Sequence, residues 1–157
     1  MQDLKIVIKQ IVMQIRRSNW NDFIEVVQKQ TYQNQDILEA RQFGYKSIED
    51  AFKDAELPWA RFYIVEDRKG ILATILEQRD GVIILFTTTN LQKSNLREYI
   101  RTVKKLGDDI VECRDVIFIQ VASWHKPALR LLKLTGFEPH IKHNHIQIWV
   151  KENGKQN

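Results

Sequence analysis

The sequence predicts a single α/β domain in which helices flank a mixed central β-sheet. Two almost continuous apolar stretches, 82–86 and 116–122, are typical of central strands buried on both faces of a sheet. A helix with apolar residues at three- and four-residue spacing lies between them, over 96–106. Strand, helix and strand in this order indicate a parallel central pair. Tight turns earlier in the chain indicate antiparallel strands in the N-terminal part of the sheet.

Length and composition fit this class. The chain has 157 residues, of which 43% are hydrophobic and 28% charged, which is enough for one buried core. We expect that core over about 11–150 and a polar, frayed C-terminal tail over 151–157. No apolar run approaches the length needed to cross a bilayer. The sequence therefore predicts a soluble protein without a membrane partner.

The first elements start and end at ordinary capping residues. Residues 11–15 are rich in β-branched side chains and predict a strand. Asn21 or Asp22 can cap the helix that follows. A short helix is predicted over 36–41, and Gly44 can end it.

A third helix and a hairpin come next. Ser47, with Asp50 three residues on, resembles a capping box for a helix that runs through Ala55. Alternation of apolar and polar residues then predicts strands over 59–66 and 71–78, joined by a glycine-containing turn.

The second half of the chain predicts two helices and two strands. Ser94 or Asn95 can cap the helix between the central strands, which Gly107 ends or 108–112 extends. The second central strand is followed by a helix from Pro127 through Leu134, a closing Gly136 and a last strand over 146–150.

One segment, together with the order of elements, resembles a known family. Val121-Ala-Ser-Trp-His-Lys-Pro-Ala-Leu-Arg-Leu-Leu-Lys-Leu-Thr-Gly-Phe-Glu-Pro139 looks like the GNAT acetyltransferase segment in which a strand ends, Pro-Ala opens a helix and Gly-Phe closes it. Residues 14–22 are similar to the family's first strand and helix start, so the resemblance spans about 11–150. It implies the GNAT fold and acetyl-CoA as the acyl donor. The same signals also suit any leucine-rich helix of an α/β domain.

The loop after the first central strand departs from the family's pattern. Working members carry a Gly-rich basic stretch there, whose N–H groups hold the CoA pyrophosphate, whereas residues 87–95 contain no Gly and no Arg. Lys93, Ser94 and the helix dipole remain as anion contacts; the alternative is an ordinary polar loop with a helix cap. The resemblance implies these cofactor-binding residues: Thr87, Thr88 and Thr89 along the pantetheine, Ser94 and Asn95 at the phosphate, and Trp124 at the pantetheine slot.

Candidates for proton transfer are few. Leu132 stands where many family members have a Tyr that protonates the leaving thiolate. His125 stands where the family often has an Asn, and the resemblance implies that it acts as acid or base. The alternatives are a loop residue for His125 and rim packing for Trp124. Glu66 and Glu77 on the hairpin either face the cleft or are solvated strand residues.

Three histidines, His140, His143 and His145, lie close together near the C-terminus. No Cys, Asp or Glu falls within this cluster to complete a ligand set. We therefore expect a basic hairpin tip and assign no metal.

A narrower resemblance leaves two functions open. Residues 15–16, 22–23 and 36–44 look like the short GNAT-like proteins of short-tailed bacteriophages, which are grouped with internal virion proteins. One function is acetyl-CoA-dependent N-acetylation. The other is a catalytically inactive protein that contacts virion proteins or DNA through a surface with a formal net charge of +4. The single Cys113 fits a reducing compartment, so we expect the bacterial cytoplasm or a virion.

Overall fold

The computed structural model describes residues 13–55 and 58–154. Within them, seven strands and five α-helices follow one another along the chain. The strands are β1 (Gln14–Ser18), β2 (Arg61–Asp67), β3 (Gly70–Glu77), β4 (Val82–Thr87), β5 (Val116–Ala122), β6 (Glu138–His143) and β7 (Ile146–Glu152). The helices are α1 (Trp20–Gln28), α2 (Asn34–Gln42), α3 (Ile48–Ala55), α4 (Leu96–Arg114) and α5 (Lys126–Leu134), and a short 3-10 helix, Thr89–Lys93, precedes α4.

The strands form one mixed sheet in the order β1-β2-β3-β4-β5-β7-β6. Neighbouring strands are antiparallel except for β4 and β5, which are parallel. This arrangement confirms the predicted fold class, with antiparallel strands first and a parallel central pair. The hairpin strands β2 and β3 lie within two residues of their predicted bounds.

Each face of the sheet carries its own apolar core. On one face, α4 and α5 contribute to a cluster that includes Tyr99 and the strand residue Ile117. On the other, α1, α2 and α3 pack over β2, β3 and β4, and Phe52 meets Phe23 and Phe86 edge to face at 4.9 and 5.3 Å between ring centroids. The central sheet is therefore covered from both sides, and α2 lies on the face opposite to α4 and α5.

The first strand lies further along the chain than predicted. β1 covers Gln14–Ser18 instead of 11–15, and residues 11 and 12 lie outside the described part. The charged Arg16 and Arg17 are tolerated there because β1 is an edge strand, paired only with β2.

Helix caps are found mostly where the sequence places them. Ser47 and Asn95 cap α3 and α4 as predicted, each accepting a backbone N–H three residues on. For α1 the predicted caps Asn21 and Asp22 are wrong. Asn19 is the cap, and its side chain accepts the Asp22 N–H at 2.9 Å.

Gly107 lies inside α4 and does not end it, because the helix continues to Arg114. A Cβ at position 107 would stand 3.2 Å from the side chain of Lys151, so the glycine makes room for that residue. Lys151 is buried, although the sequence placed it in the frayed tail. Its Nζ donates to the Thr135 carbonyl at 2.6 Å and pairs with Asp108 at 2.8 Å. These contacts hold β7 in the sheet beyond its predicted end at 150.

The sequence predicts a hairpin tip near His143 and His145 but gives no bounds for the strand before it, which is β6. All six of its residues are exposed, and Pro139 lies among them. An edge strand that packs on neither core lacks the alternation by which strands are recognised. His143 belongs to this strand, and Asn144, with φ of 56°, makes the turn into β7.

Gly136 is expected to be intolerant of substitution. Its φ is +92°, and an added Cβ would lie 2.6 Å from Lys151 Nζ. Replacing Gly136 by Ala should lower the free energy of unfolding by about 1–3 kcal/mol, because it strains the backbone and displaces a buried ammonium. Urea unfolding measures the change. Gly154, whose added Cβ would meet nothing within 4 Å, is the control, and an equal effect of both substitutions would contradict this account.

Candidate functional site

The two central strands part soon after they begin. β4 and β5 pair only at Val82 with Phe118 and at Ile83 with Ile119. β4 nevertheless stays paired with β3 as far as Thr87. A gap therefore opens in the middle of the sheet and widens toward the carboxyl ends of both strands.

On β4, alternate peptide groups point into this gap. The Thr88 N–H donates to the Leu72 carbonyl at 2.9 Å, which places even-numbered residues in hydrogen-bonded pairs with β3. The peptide groups of Leu85 and Thr87 therefore face away from β3, toward the diverging β5. They are the backbone groups that a ligand in the gap would meet.

β5 presents its own backbone donors to the gap. The Phe118 N–H donates to the Gly81 carbonyl at 3.0 Å, so the peptide of Phe118 faces β4. By alternation, the N–H groups of Gln120 and Ala122 face the same side, Gln120 within the pairing with β4 and Ala122 beyond it, at the gap. The gap is therefore edged by polar backbone from both strands.

A cavity of about 890 Å³ passes through the gap. Between α4 and α5 its walls are apolar and include Ile100, Val103 and Leu131. On the opposite face of the sheet, α2 and the region around α3 line it with polar groups that include Tyr45 and Asp54. The cavity thus joins an apolar side to a polar side through the sheet.

This cavity explains why β4 is less buried than predicted. Ile84 and Leu85 are only half-buried, and so is Ile119 on β5. The expectation that the central strands are buried on both faces is wrong at these positions, because the strands part where their side chains would otherwise meet.

Two carboxylates of α2 close the wide end of the gap. Asp36 Oδ2 accepts the Thr87 N–H at 2.6 Å, and Glu39 Oε2 accepts the Ala122 N–H at 2.7 Å. Both side chains are buried. Because residues three apart lie on the same face of a helix, one helix reaches both strands and satisfies a gap-facing N–H on each.

His125 holds Asp36 in place. It is 2% exposed, its Nε2 lies 2.6 Å from Asp36 Oδ1, and its Nδ1 accepts the Ala128 N–H at 3.3 Å. Since Nδ1 accepts, we assign the ring proton to Nε2, which donates it to Asp36. Burial lowers the pKa of His125, but the hydrogen bond to Asp36 and the charges of Glu39 and Asp36 outweigh burial and raise it.

Only one carboxylate oxygen of Glu39 accepts a hydrogen bond from the described residues. Oε2 accepts from Ala122, whereas Oε1 accepts no hydrogen bond from the described residues. Burial raises the pKa of Glu39 to about 7, although the Ala122 hydrogen bond and the charge of His125 lower it. A carboxyl group that titrates near neutral pH can take up and return a proton.

The threonines expected along pantetheine already have partners within the chain. The Thr87 N–H is bonded to Asp36, and the Thr88 N–H is bonded to β3. Thr89 donates its N–H to the Thr31 carbonyl at 2.9 Å. Among the described residues, the gap-facing peptide group of β4 that remains available to a ligand is therefore that of Leu85, two residues before Thr87.

The residues expected at the phosphate are also engaged. Asn95 Oδ1 accepts the Glu98 N–H at 3.0 Å, and the Ser94 hydroxyl donates to the carboxylate of Asp67. Trp124 stacks on the His125 ring, with centroids 5.7 Å apart, and its Nε1 donates to Gln42. Trp124 is not among the residues that line the cavity, whereas His125 is.

Neither hairpin carboxylate lies at the gap. Glu77 is buried, accepts the Tyr63 hydroxyl at 2.6 Å and pairs with Arg114. Glu66 pairs with Arg16 at 2.8 Å. Leu132 is buried and lines the cavity, but its hydrocarbon side chain has no proton to supply.

Residues 13–55 and 58–154 contain neither a metal-binding cluster nor a membrane-spanning helix. No three side chains of His, Cys, Asp or Glu come together in an arrangement that could hold a metal ion. None of the described helices is both long and apolar enough to span a bilayer.

An α/β sheet whose central parallel strands part between two helices is the architecture of the GNAT N-acetyltransferases. Solved structures of this class match the chain over most of its length. Spermidine N-acetyltransferase from Vibrio cholerae, solved in complex with CoA and spermine, has a TM-score of 0.62 at 13% identity over 91% of this chain and 96% of that chain. The GNAT domain of S. lividans PAT has a TM-score of 0.67 at 8% identity over 89% and 90%.

A third structure extends the comparison. N-acetyltransferase PseH from Campylobacter jejuni has a TM-score of 0.51 at 12% identity over 90% of this chain and 98% of that chain. No family model and no curated protein sequence matches the chain. The chain therefore has the GNAT fold, as the sequence resemblance implied. At such low identity the likeness establishes the fold alone.

Proposed function

We propose that this protein transfers an acyl group from a pantetheine thioester to an amine. The observation that carries the proposal is Glu39, a buried carboxyl group with a pKa of about 7 beside the gap between β4 and β5. The fold supports the same class of reaction, since the solved structures it resembles include N-acetyltransferases. A pantetheine thioester supplies an electrophilic carbonyl carbon and a thiolate leaving group.

The apolar side of the cavity suits the acyl-pantetheine half of acetyl-CoA. Ile100, Val103 and Leu131 offer apolar contacts between α4 and α5. The Leu85 peptide group, which faces the gap, can pair with an amide of the pantetheine arm. The Thr87 N–H can join it only when Asp36 releases that group.

The polar side of the cavity suits the amine. An alkyl amine is protonated at neutral pH and must lose a proton before it can attack. In the proposal, Glu39 Oε1 takes this proton and passes it to solvent. The neutral amine nitrogen then bonds to the carbonyl carbon while the carbon–sulfur bond breaks, and the nitrogen gives its second proton to Glu39. Glu39 passes that proton to the thiolate. His125 acts as a positioning residue through Asp36 and does not touch the reacting atoms.

Thiol release tests the proposal. Acetyl-CoA and acetyl-pantetheine are supplied as donors, with a panel of amines that includes spermine, the ligand named with the Vibrio cholerae structure. We expect saturable, amine-dependent thiol release. Leu131→Trp should lower kcat/KM at least about tenfold by filling the cavity, whereas Leu38→Trp, at an exposed position on α2, should not. Absence of release with every donor and amine would refute the proposal.

A second candidate function rests on the Asp36 contact. Because Asp36 takes the Thr87 N–H that pantetheine would use, the fold can also serve as a scaffold without catalysis. In that case the protein would be a phage or virion component that contacts proteins or DNA through its basic residues. Calorimetric titration with CoA and pantetheine separates the two functions, since the scaffold should give no heat with either ligand up to millimolar concentration.

A further inference from the structure

The connection from β4 to α4 has little left with which to hold a pyrophosphate. Five of its backbone N–H groups donate within the chain, at 2.9–3.4 Å: Thr88 to Leu72 O, Thr89 to Thr31 O, Asn90 to Thr88 Oγ1, Leu91 to Thr88 O and Ser94 to Leu91 O. A phosphate cradle requires several such N–H groups to point outward at the ligand. Here they point inward and order the loop instead.

A carboxylate also lies beside the N-terminus of α4. Asp67, at the end of β2, accepts the Ser94 hydroxyl immediately before α4. In the first turn of that helix, the Glu98 N–H is taken by Asn95 and the Glu98 side chain adds a second negative charge. A pyrophosphate placed here would meet like charge and lose donors to the cap. The phosphate-binding part of CoA therefore does not fit, although its acyl-pantetheine part does.

The cationic side chains that line the cavity belong to α5 and not to α4. Lys126 and Arg130 line the cavity from the first turns of α5, and both are exposed. The backbone of that turn is already used, since the Ala128 N–H donates to His125 and Pro127 has no N–H. Recognition of an anion here is left to two long charged side chains. Such side chains suit one phosphate group rather than a rigid pyrophosphate cradle.

We propose that the acyl donor is an acyl-phosphopantetheine thioester, held by its pantetheine arm in the cavity and by its single phosphate at Lys126 and Arg130. The 3′-phospho-AMP half of CoA then contributes no affinity. This inference rests on the proposed function, and the transfer is the one given above: the carbon–sulfur bond of the thioester breaks and a carbon–nitrogen bond forms. Of the two protons that the ammonium loses, one goes to solvent and the other ends on the thiol. The donor is borne by a carrier protein or free in solution, and both forms present the same chemistry.

Calorimetry with CoA, 4′-phosphopantetheine and pantetheine measures the binding contributions directly. We expect the Kd values of CoA and phosphopantetheine to agree within about threefold, and pantetheine, which lacks the phosphate, to bind about tenfold more weakly, or 1.4 kcal/mol. The double variant Lys126→Ala with Arg130→Ala should remove the phosphopantetheine advantage. Lys133→Ala, on the same helix but outside the cavity lining, is the control and should retain it.

Removing the charge of Asp67 tests whether this carboxylate disfavours the pyrophosphate of CoA. Asp67→Asn should tighten CoA binding by about twofold to fivefold, because it removes a like charge near the pyrophosphate, and should leave phosphopantetheine binding unchanged. If CoA binds the wild-type protein at least about tenfold more tightly than phosphopantetheine does, the inference is overturned. If both ligands are then used as acetylated donors with CoA preferred, the proposed function nevertheless stands. If no thioester is bound or consumed, the proposed function itself fails.

Kinetics separate the two sources of the donor. Acetyl-phosphopantetheine free in solution is compared with the same group on an acidic acyl carrier protein. A higher kcat/KM for the protein-borne donor identifies the carrier as the source, and equal values identify the free thioester. Both results support phosphopantetheine recognition. A kcat/KM for acetyl-CoA at least about tenfold above both would overturn it.

Discussion

Replacing Glu39 by Gln is expected to lower kcat/KM for acyl transfer about 10²–10⁴-fold, the usual contribution of a positioned base. Gln still accepts the Ala122 N–H that Glu39 accepts, but it cannot take the ammonium proton. In the wild-type protein, kcat/KM should rise with pH through a midpoint near 7, since burial raises the pKa of Glu39 to about 7. The variant should lose this rise. The pH profile of initial thiol release measures both effects.

The stability of the Glu39→Gln variant shows whether a loss of activity reflects lost chemistry or lost structure. Folding raises the pKa of Glu39 from 4.5 to about 7, so its contribution to stability is fully present below pH 4.5 and is lost as pH rises to about 7. At pH 8, the free energy of unfolding of Glu39→Gln should therefore exceed that of the wild type by about 1–3 kcal/mol, as measured by urea denaturation. At pH 5 this difference should be smaller. Glu25→Gln, at an exposed position on α1, is the control. Full activity of Glu39→Gln would remove Glu39 from the mechanism.

Asp36→Ala should lower the free energy of unfolding by about 2–5 kcal/mol at pH 7. The Thr87 N–H and the Nε2–H of His125 both donate to Asp36, and a buried donor left without an acceptor costs about 1–3 kcal/mol. Urea denaturation followed by circular dichroism measures the change.

Asp36→Asn is the matched variant. Its single oxygen can serve the Thr87 N–H, but its amide then faces the Nε2–H of His125. The loss should be smaller, about 1–3 kcal/mol, for one unsatisfied donor. An Ala variant as stable as the wild type would show that the side chain of Asp36 does not hold β4 and His125.

The fold was predictable because its informative elements are strongly patterned. The apolar stretches at 82–86 and 116–122 and the Pro-Ala and Gly signals around α5 predict the parallel pair and its crossover. The elements that were wrong lie where packing overrides pattern. The extension of α4 through 108–112 is confirmed, whereas Gly107 is not a helix end: it is conformationally ordinary and makes room for Lys151. Strand β6 packs on neither core and carries no alternation.

The site was predictable in position but not in composition. The segment containing His125 and the loop after β4 were both located correctly at the carboxyl ends of the central strands. The sequence analysis did not single out Asp36 and Glu39, the two carboxylates of the candidate site. On α2 they are buried while the apolar Leu38 is 52% exposed, which reverses the usual pattern of a surface helix. Their three-residue spacing places both side chains on one face of the helix. The sequence does not show that the strands facing them part, so this spacing alone could not indicate a site.

The short pairing between β4 and β5 leaves the two halves of the sheet with few direct backbone contacts. One half consists of β1 to β4, and the other consists of β5 to β7. Two residue pairs, Val82 with Phe118 and Ile83 with Ile119, join them along the sheet. The apolar core beneath α4 nevertheless contains residues of both halves, such as Ile75 and Ile117, and on the opposite face Glu39 of α2 accepts a hydrogen bond from Ala122 of β5. The two halves are therefore held together by the helices on either face, so that an opening in the middle of the sheet coexists with a continuous core.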